Sequence, residues 1–400
     1  MAPLQINIER LKQNLLEVAS LANAGSRGYT RTAFSAEEKR ALEWLKQKLA
    51  ALSVRVSQDA VGNVFGKWGN PDEPSILFGS HLDTVPEGGL FDGALGVVAG
   101  LECLQTLREH GYQPNVPLEL VCFVGEEANP LGGTFGSRAV AGLIPYSAEL
   151  EKKLNEQQFT WDDLVRAKRT SRDFRCFLEL HIEQGSLLEA ADKQIGIVTA
   201  IAGILRLAVR VNGRASHSGT TPMHLRRDAL VDAAALIQKV NQLAKETNSD
   251  IVATVGEIAI FPNLANVVPG EAHLTIEVRG SKWEEMKAIE EAIREWSSRH
   301  IAADFAITVE KRPNSLSAPM QSCVEQACRD VGASYQYMVS GANHDANSLT
   351  ALTDVGMIFV PSKDGISHHP DEWTSWEDIE TGANVMLQTI LRLADRYSRD

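Results

Sequence analysis

Residues 75–84 read Ser-Ile-Leu-Phe-Gly-Ser-His-Leu-Asp-Thr, a short apolar run followed at once by a histidine and an aspartate. A short apolar run bounded by glycine and polar residues is typical of a buried strand. The next stretch, 94–108, has the length and apolar content of a helix. A buried strand followed by a helix indicates an α/β fold, in which helices cover a largely parallel sheet.

The same alternation of strand-like and helix-like stretches continues on both sides of residues 75–84. Leucines at helical spacing precede it, and further short apolar runs follow it. In the main part of the chain we predict helices over 36–52, 94–108 and 376–397, and strands over 75–79, 118–124, 177–181 and 355–360. The predicted main domain therefore has a central mixed, largely parallel sheet flanked by helices.

The pattern of apolar and polar residues changes near residue 204. From there, apolar and polar residues alternate along several stretches, as they do in strands with one face in solvent. Strands are predicted over 205–211, 251–260, 273–278 and 305–309, and helices over 225–245 and 283–299. We predict a four-stranded sheet with two helices, an α+β domain over 205–313 that is inserted into a main domain made of 1–204 and 314–400.

Composition and charge exclude several classes of protein. The 400 residues exceed the size at which one core usually stops growing, which indicates about two domains. A net charge of -13 argues against a nucleic-acid surface and against a polybasic membrane anchor. Five cysteines without a CxxC pair, no membrane-spanning apolar run and no recognisable secretion signal favour a cytoplasmic enzyme.

Familiar catalytic motifs are absent, but acidic residues and histidines follow the predicted strands. The sequence has neither a GxSxG nucleophile elbow nor an HExxH zinc helix. The carboxyl ends of parallel strands meet at one edge of a sheet, where ligands bind. The residues expected at that edge are His81, Asp83, Asp92, Glu126, Glu127, His181 and His368. A lone histidine at a strand end is more often structural, and a Glu-Glu pair is often solvated. Their combination favours a metal site.

Imidazole and carboxylate groups suit zinc and its first-row neighbours. Two cations about 3.5–4 Å apart need a bridging carboxylate, and Asp92 suits that role. His81 and His181 would complete one metal site, and Glu127 and His368 the other.

Two further acidic residues are predicted to support the metal ligands. Asp83 lies two residues after His81 and would accept the proton on the second ring nitrogen of that ligand. Of the adjacent glutamates, one can bind metal while the other acts as general base. Glu126 is taken as the base and Glu127 as the ligand.

These residues lie in longer motifs that resemble a known family. The chain resembles the dinuclear metal-dependent aminoacylase/carboxypeptidase family, and within it the branch of N-carbamoyl-L-amino-acid amidohydrolases, β-ureidopropionases and allantoate amidohydrolases. The motifs are Gly79-Ser-His81-Leu-Asp83-Thr84, Gly88-Gly-Leu-Phe-Asp92-Gly-Ala-Leu-Gly-Val97, Glu126-Glu127, His181-Ile-Glu-Gln-Gly185, Gly219-Thr-Thr-Pro-Met223, Asn263-Leu-Ala-Asn266-Val-Val-Pro-Gly270, Ser340-Gly-Ala-Asn-His344-Asp-Ala346 and Gly365-Ile-Ser-His368.

The resemblance implies roles for further residues and for the inserted domain. That domain would be a lid through which two subunits dimerise, and each subunit would hold two divalent ions of Zn, Mn, Co or Ni. His217 would polarise the scissile carbonyl, a role commonly filled from the partner subunit. The residues implied in substrate binding are Gln184, Asn266, Arg279, His344, Gly365 and Ser367.

The expected activity is hydrolysis of a linear amide C–N bond, that of an N-carbamoyl-L-amino acid, to the amino acid, ammonia and carbon dioxide. Alternative substrates are allantoate or another ureide, or the substrates of an aminoacylase or dipeptidase. A non-catalytic binder of amino-acid derivatives is the alternative from another class. The chain reads Ala128-Asn129-Pro130-Leu131 where the branch has Arg-Phe after a small residue, which leaves the substrate open. Asn343 and Glu277 are smaller departures.

Overall fold

A computed structural model describes residues 3–23, 27–247 and 250–398. The helices are α1 (Ile8–Ser20), α2 (Ala36–Ala51), α3 (Ala94–Glu109), α4 (Phe135–Ala141), α5 (Ala148–Glu156), α6 (Trp161–Ala167), α7 (Leu187–Ala191), α8 (Ala229–Glu246), α9 (Trp283–His300), α10 (Ala318–Val331), α11 (Asp345–Leu349) and α12 (Trp376–Tyr397). The strands are β1 (Arg55–Gln58), β2 (Val64–Trp68), β3 (Ser75–His81), β4 (Leu118–Phe123), β5 (Phe174–Ile182), β6 (Ile195–Ile201), β7 (Gly203–Asn212), β8 (Ser216–His217), β9 (Val252–Phe261), β10 (Val267–Val268), β11 (Glu271–Gly280), β12 (Ala303–Lys311), β13 (Asn314–Ser315), β14 (Tyr335–Ser340) and β15 (Asp354–Val360).

The chain folds into two compact units. The first contains the residues up to Thr199 together with Leu316–Met338 and the chain from Asn343 onward. The second contains Ala200–Ser315 and Val339–Ala342. Each unit has its own cluster of buried apolar side chains.

The first unit is built on a mixed sheet. Its strands follow the order β1-β2-β4-β3-β5-β15-β6, and β14 also pairs with β6. The pairs β4–β3, β3–β5 and β5–β15 are parallel, whereas β1–β2, β2–β4 and β15–β6 are antiparallel. Parallel pairing is therefore concentrated in the four central strands, and the predicted fold class is confirmed.

The central strands are apolar because the rest of the unit covers them. Every residue of β3 and of β4 is buried. Helices α3 and α12 pack against β3, β5 and β15 and supply much of the apolar core. Strands buried in this way read as continuous apolar runs rather than alternating ones, which is why the sequence pattern located them.

One glycine shows how closely the central strands approach each other. Gly79 has φ +147°, and a Cβ built on it would lie 1.9 Å from the carbonyl oxygen of Val121 on β4. No other residue fits there without displacing β4, so this glycine sets the path of β3 just before it ends at His81.

The second unit is a four-stranded antiparallel sheet with the order β12-β7-β11-β9. Helices α8 and α9 pack against it and cover its apolar residues. Along β11, buried and partly exposed residues alternate, as expected for a sheet with one open face. Among the described residues, no helix is both long and apolar enough to span a membrane.

Candidate metal centre

The carboxyl ends of the central parallel strands bring together the residues that the sequence placed there. His81 is the last residue of β3, and His181 lies near the end of the neighbouring β5. Among the described residues, three groups of side chains have ligand atoms within 4.8 Å of one another, and two of these groups contain Asp92. The first group is His81, Asp92 and His181, and the second is Asp92, Glu127 and His368.

In the first group, the two imidazoles face one oxygen of Asp92. The Nε2 atoms of His81 and His181 lie 3.6 Å and 3.2 Å from Asp92 Oδ1. Two ligands of one tetrahedral zinc ion, each about 2.1 Å from it, lie about 3.4 Å apart. The spacing therefore suits a small divalent cation.

Hydrogen bonds hold both histidines in the tautomer that a metal requires. His81 Nδ1 lies 3.0 Å from the carbonyl oxygen of Asp83, and His181 Nδ1 lies 2.9 Å from that of Ile182. A carbonyl oxygen only accepts, so each Nδ1 carries the proton and leaves a lone pair on Nε2. The amide of Gly93 donates to His181 Nε2 at 3.2 Å, in agreement with this nitrogen being an acceptor.

The second group uses the other oxygen of the same aspartate. His368 Nε2 lies 3.4 Å from Asp92 Oδ2 and 3.6 Å from Glu127 Oε1. Glu127 Oε1 is buried and accepts no hydrogen bond from the residues that the structure describes. A buried carboxylate oxygen that accepts no hydrogen bond is costly, and a cation beside it would remove that cost. The donor set thus fits a divalent cation.

Burial and crowding shift the protonation of these groups. Burial would lower the pKa of His81, but the carboxylates of Glu126, Asp83 and Asp92 raise it well above its usual range. Burial and the charge of Asp92 raise the pKa of Glu127 to about 7. The hydrogen bond to Asp92 raises the pKa of His368 to about 9. A site that crowds several carboxylates in a low dielectric favours added positive charge.

The carboxylate of Asp83 holds the turn that carries the two glutamates. It accepts hydrogen bonds from the amides of Glu126 (3.1 Å) and Glu127 (3.0 Å). Its nearest oxygen is 3.5 Å from His81 Nδ1, so the bond to that imidazole is made by its main-chain carbonyl instead. Asp83 therefore links the end of β3 to the end of β4.

A family comparison accounts for this constellation. Residues 77–392 match the sequence model of a protein family, described as peptidase family M20/M25/M40. The chain belongs to peptidase family M20/M25/M40. This family is metal-dependent, in accord with the two ligand groups.

Relatives at the level of whole chains narrow the branch within the M20 family. The N-carbamoyl-L-amino-acid amidohydrolase of Paenarthrobacter aurescens is 37% identical over 97% of this chain and 98% of that protein. The allantoate amidohydrolase of Bacillus subtilis is 32% identical over 92% of this chain and 93% of that protein. A solved amidase of the hydantoinase/carbamoylase family from Burkholderia multivorans has 30% identity and a TM-score of 0.89, covering 98% of both chains. The resemblance stated from the motifs is confirmed.

Several residues that the M20 resemblance implies in substrate binding lie at the metal centre of the first unit. Gln184 has φ +57° and donates from Nε2 to Asp92 Oδ2 at 2.7 Å, and its buried Oε1 accepts no hydrogen bond from a described residue. Ser367 Oγ lies 3.0 Å from Asp92 Oδ2 and 2.9 Å from Glu372 Oε2. The ring of His344 packs edge-on against that of His181, with 4.5 Å between centroids. Gly365 lies in the loop before His368, with φ +66°.

The remaining residues that the M20 resemblance implies in catalysis or substrate binding belong to the second unit. His217 pairs with Val267 in the short ladder β8–β10, and the amide of Ser218 donates to the carbonyl of Asn266. The amide of Gly219 donates to His217 Nδ1 at 3.1 Å. That nitrogen is therefore the acceptor in the neutral ring, and the proton lies on Nε2.

Arg279 is held within the second unit by two contacts. Its Nε donates to Glu277 at 2.7 Å, and its Nη1 donates to the carbonyl of Gly341 at the same distance. Its side chain is 32% exposed. Glu277, which stands where the branch has an aspartate, thus orients this guanidinium.

Sequence reasoning missed the buried carboxylates that support the site. Glu372 accepts hydrogen bonds from the amides of Phe91 and Asp92, and it lies four residues after His368. Glu179 accepts from Ser80 Oγ and from the amide of Ala346, so its contact with His181 and His344 belongs to a hydrogen-bond network. The sequence held only a weak indication of this network. Glu179 lies two residues before His181, so the two side chains are expected on the same face of the strand.

Proposed function

We propose that this protein is a metal-dependent amidohydrolase that cleaves a linear amide C–N bond, that of an N-carbamoyl-L-amino acid. The observation that carries the proposal is the pair of ligand groups that share Asp92, with the carboxylate of Glu126 beside them. The amidohydrolase relatives support the choice of reaction. The products would be an L-amino acid, ammonia and carbon dioxide.

Five side chains would hold two divalent cations of the Zn, Mn, Co or Ni class: His81, Asp92, Glu127, His181 and His368. When bound, such a pair activates a water molecule and polarises the substrate carbonyl. Oδ1 of Asp92 faces His81 and His181, and Oδ2 faces His368, so this carboxylate would contribute to both ligand groups. The amides of Phe91 and Asp92 donate to Glu372, which would hold the carboxylate of Asp92 in place.

Glu126 would act as general base and then as general acid. Its Oε2 lies 3.7 Å from His81 Nε2, at the edge of the first ligand group. Burial raises its pKa well above the usual range, against the charge of His81. A carboxylate with a raised pKa can take a proton from water near neutral pH and return it to the departing amine. Asp83 orients it through the main-chain amides of the turn.

His217 would stabilise the negative charge that develops on the substrate carbonyl oxygen. Its Nδ1 accepts the amide of Gly219, so its Nε2–H is a donor even in the neutral ring. A donor aimed at a developing oxyanion is typically worth about 3–4 kcal/mol. Gln184, Asn266 and Arg279 would hold the substrate carboxylate, a task that suits the planar fork of arginine.

The first test is a substrate panel, measured by ammonia release after loading with Mn, Co, Ni or Zn. We expect ammonia from N-carbamoyl-L-amino acids, loss of activity on chelation, and recovery on adding metal. Allantoate as the preferred ureide would favour the allantoate branch. Cleavage of acetyl or dipeptide substrates without ammonia would favour an aminoacylase or dipeptidase, and metal binding without turnover would favour a binding protein.

The second test concerns the general base. Glu126→Gln keeps the size of the side chain and removes the carboxylate, so we expect kcat to fall by about 10²–10⁴ while metal content stays the same. Glu149→Gln on α5, an exposed glutamate remote in sequence from the motifs, is the matched control and should keep full activity. Wild-type turnover by Glu126→Gln would contradict the assignment.

We also propose a cytoplasmic homodimer that forms through the second unit, and His217 acting in the partner's active site. The open sheet face of that unit is lined near its centre by Ala208, Thr275 and Ala306, which are neighbours across the ladder. Its edge strand β9 exposes Val252 and Ile258. Long exposed edges and apolar faces are typical of surfaces that pair with another chain. The unpaired cysteines suit a reducing compartment.

A further inference from the structure

Glu38 lies in the first turn of α2, where its sequence context predicts a local role. Residues 35–38 read Ser-Ala-Glu-Glu, and Ser35 is the N-cap whose hydroxyl accepts the amide of Glu38. In such a capping box the side chain of the glutamate usually accepts a hydrogen bond from the amide of the N-cap residue. Here Glu38 Oε2 accepts from the amide of Phe34, one residue earlier, at 2.5 Å.

The second oxygen of Glu38 contacts the turn that carries Glu126 and Glu127. Glu38 Oε1 accepts a hydrogen bond from the amide of Gly125 at 3.1 Å. The next two amides, those of Glu126 and Glu127, donate to the carboxylate of Asp83. Three consecutive main-chain N–H groups therefore end on two buried carboxylates.

Both carboxylates lie in the interior, where an unpaired charge would be expensive. Glu38 is 1% exposed and Asp83 is fully buried. Arg31 is also buried, donates from Nε to the carbonyl of Leu82 at 2.6 Å, and interacts electrostatically with both carboxylates. Buried ionic groups cost stability relative to apolar packing, so their presence needs a reason other than stability.

The geometry of the turn supplies that reason. Gly125 has φ +61°, and a Cβ on it would lie 2.9 Å from the ring of Phe34. Asn129 Nδ2 donates to the carbonyls of Gly125 and Glu127. The N–H groups of the turn are thus held by carboxylates from α2 and from the end of β3, and its carbonyls by an amide from the following loop.

We propose that Glu38 is a positioning residue, which fixes the orientation of Glu126 by anchoring the amide of Gly125 to helix α2. The proposal rests on the proposed function, in which Glu126 is the general base. The carboxylate of Glu38 accepts its hydrogen bonds from the main-chain amides of Phe34 and Gly125, so it acts on Glu126 through the main chain of the turn. Its loss should lower kcat because the base is no longer held at the productive angle.

The test uses Glu38→Gln, with Glu37→Gln as matched control. Glu37 lies in the same helical turn and pairs with Arg40, so the control also removes one first-turn carboxylate. In Glu38→Gln we expect amide exchange over 124–128 to become about tenfold faster, as for the loss of one buried hydrogen bond. We expect kcat to fall by a similar factor, with KM and metal content unchanged. Glu37→Gln should match the wild type.

A double-mutant cycle identifies the route of the effect. If Glu38 acts through Glu126, then Glu38→Gln should cause no further loss of kcat when Glu126 is already glutamine. Glu38→Asp keeps the carboxyl group but shortens its reach, so it should reproduce the faster exchange. This variant covers the case in which the glutamine variant does not fold.

Each outcome decides the proposal separately from the proposed function. Unchanged exchange over 124–128, or additive losses in the cycle, would overturn the positioning role even if the wild type hydrolyses ureides. A wild type that releases ammonia from no ureide would overturn the proposed function, while the exchange measurement would still decide whether Glu38 anchors the turn.

Discussion

Asp83 shows how a side chain can organise a reaction centre from outside it. Its carboxylate binds two successive amides, and its carbonyl orients His81. The sequence predicted a contact between Asp83 and His81 because of their spacing, but no spacing rule connects Asp83 with a turn 43 residues later. The connection exists because β3 and β4 are parallel neighbours that end side by side.

Asp83→Asn provides a prediction at this scale. Asparagine offers one acceptor oxygen, and its NH₂ group would face an amide donor, so one buried N–H would lose its partner at a cost of about 1–3 kcal/mol. We expect kcat to fall by about 10–100-fold, because the glutamate turn moves, with cooperative unfolding retained. Steady-state kinetics and thermal unfolding measure this.

The control for that variant is Asp72→Asn, which changes an exposed aspartate in the turn before β3. It should leave both kcat and the unfolding temperature unchanged. Equal kcat for the Asp83 and Asp72 variants would show that the turn does not depend on the carboxylate.

At the scale of elements, helix α3 is fitted to the metal centre by the glycine that precedes it. Gly93 has φ +65°, and a Cβ on it would lie 2.3 Å from the ring of His81. Gly111, just beyond the other end of α3, has φ +68° with nothing within 4 Å of a Cβ. Both glycines have a positive φ, but their surroundings differ.

This pair makes a controlled prediction. Alanine at either position costs at least about 1 kcal/mol because of the positive φ. Gly93→Ala must also displace His81 or α3, so we expect it to lose metal affinity and most activity. Gly111→Ala should lose a little stability only. Isothermal titration with Zn or Mn, together with urea unfolding, separates the two effects. Equal metal affinity in both variants would contradict the close fit of α3 to His81.

The elements that sequence patterns located share a physical property. Strands β3, β4 and β15 are buried along almost their whole length, and α2 and α12 present an apolar face, so their patterns are strong. Strands β1, β2, β6 and β14 were not predicted. Strands β1 and β14 are mostly partly or fully exposed, so they leave no clear apolar signal in the sequence. Strands β2 and β6 are mostly buried, so burial alone did not make a strand recognisable.

At the scale of the whole molecule, the second unit offers a test of the proposed dimer. Ala208→Glu places a charge at the centre of the open sheet face, where a two-fold interface would bring it near its own copy. We expect light scattering to show a dimer for the wild type and a monomer for this variant.

Ala234→Glu on the exposed side of α8 is the matched control and should remain dimeric. A monomeric wild type would contradict the proposal. A dimeric Ala208→Glu protein would place the interface elsewhere on the chain.

Sequence alone determined which residue types carry the chemistry and which family they resemble, because motifs record local spacing and strand burial. Tertiary structure decided how Asp92 presents one oxygen to each ligand group, and which buried carboxylates support the glutamate turn. Those interactions join residues that are tens to hundreds of positions apart. They depend on strand order and on the close approach of backbones at glycines, which no local pattern encodes.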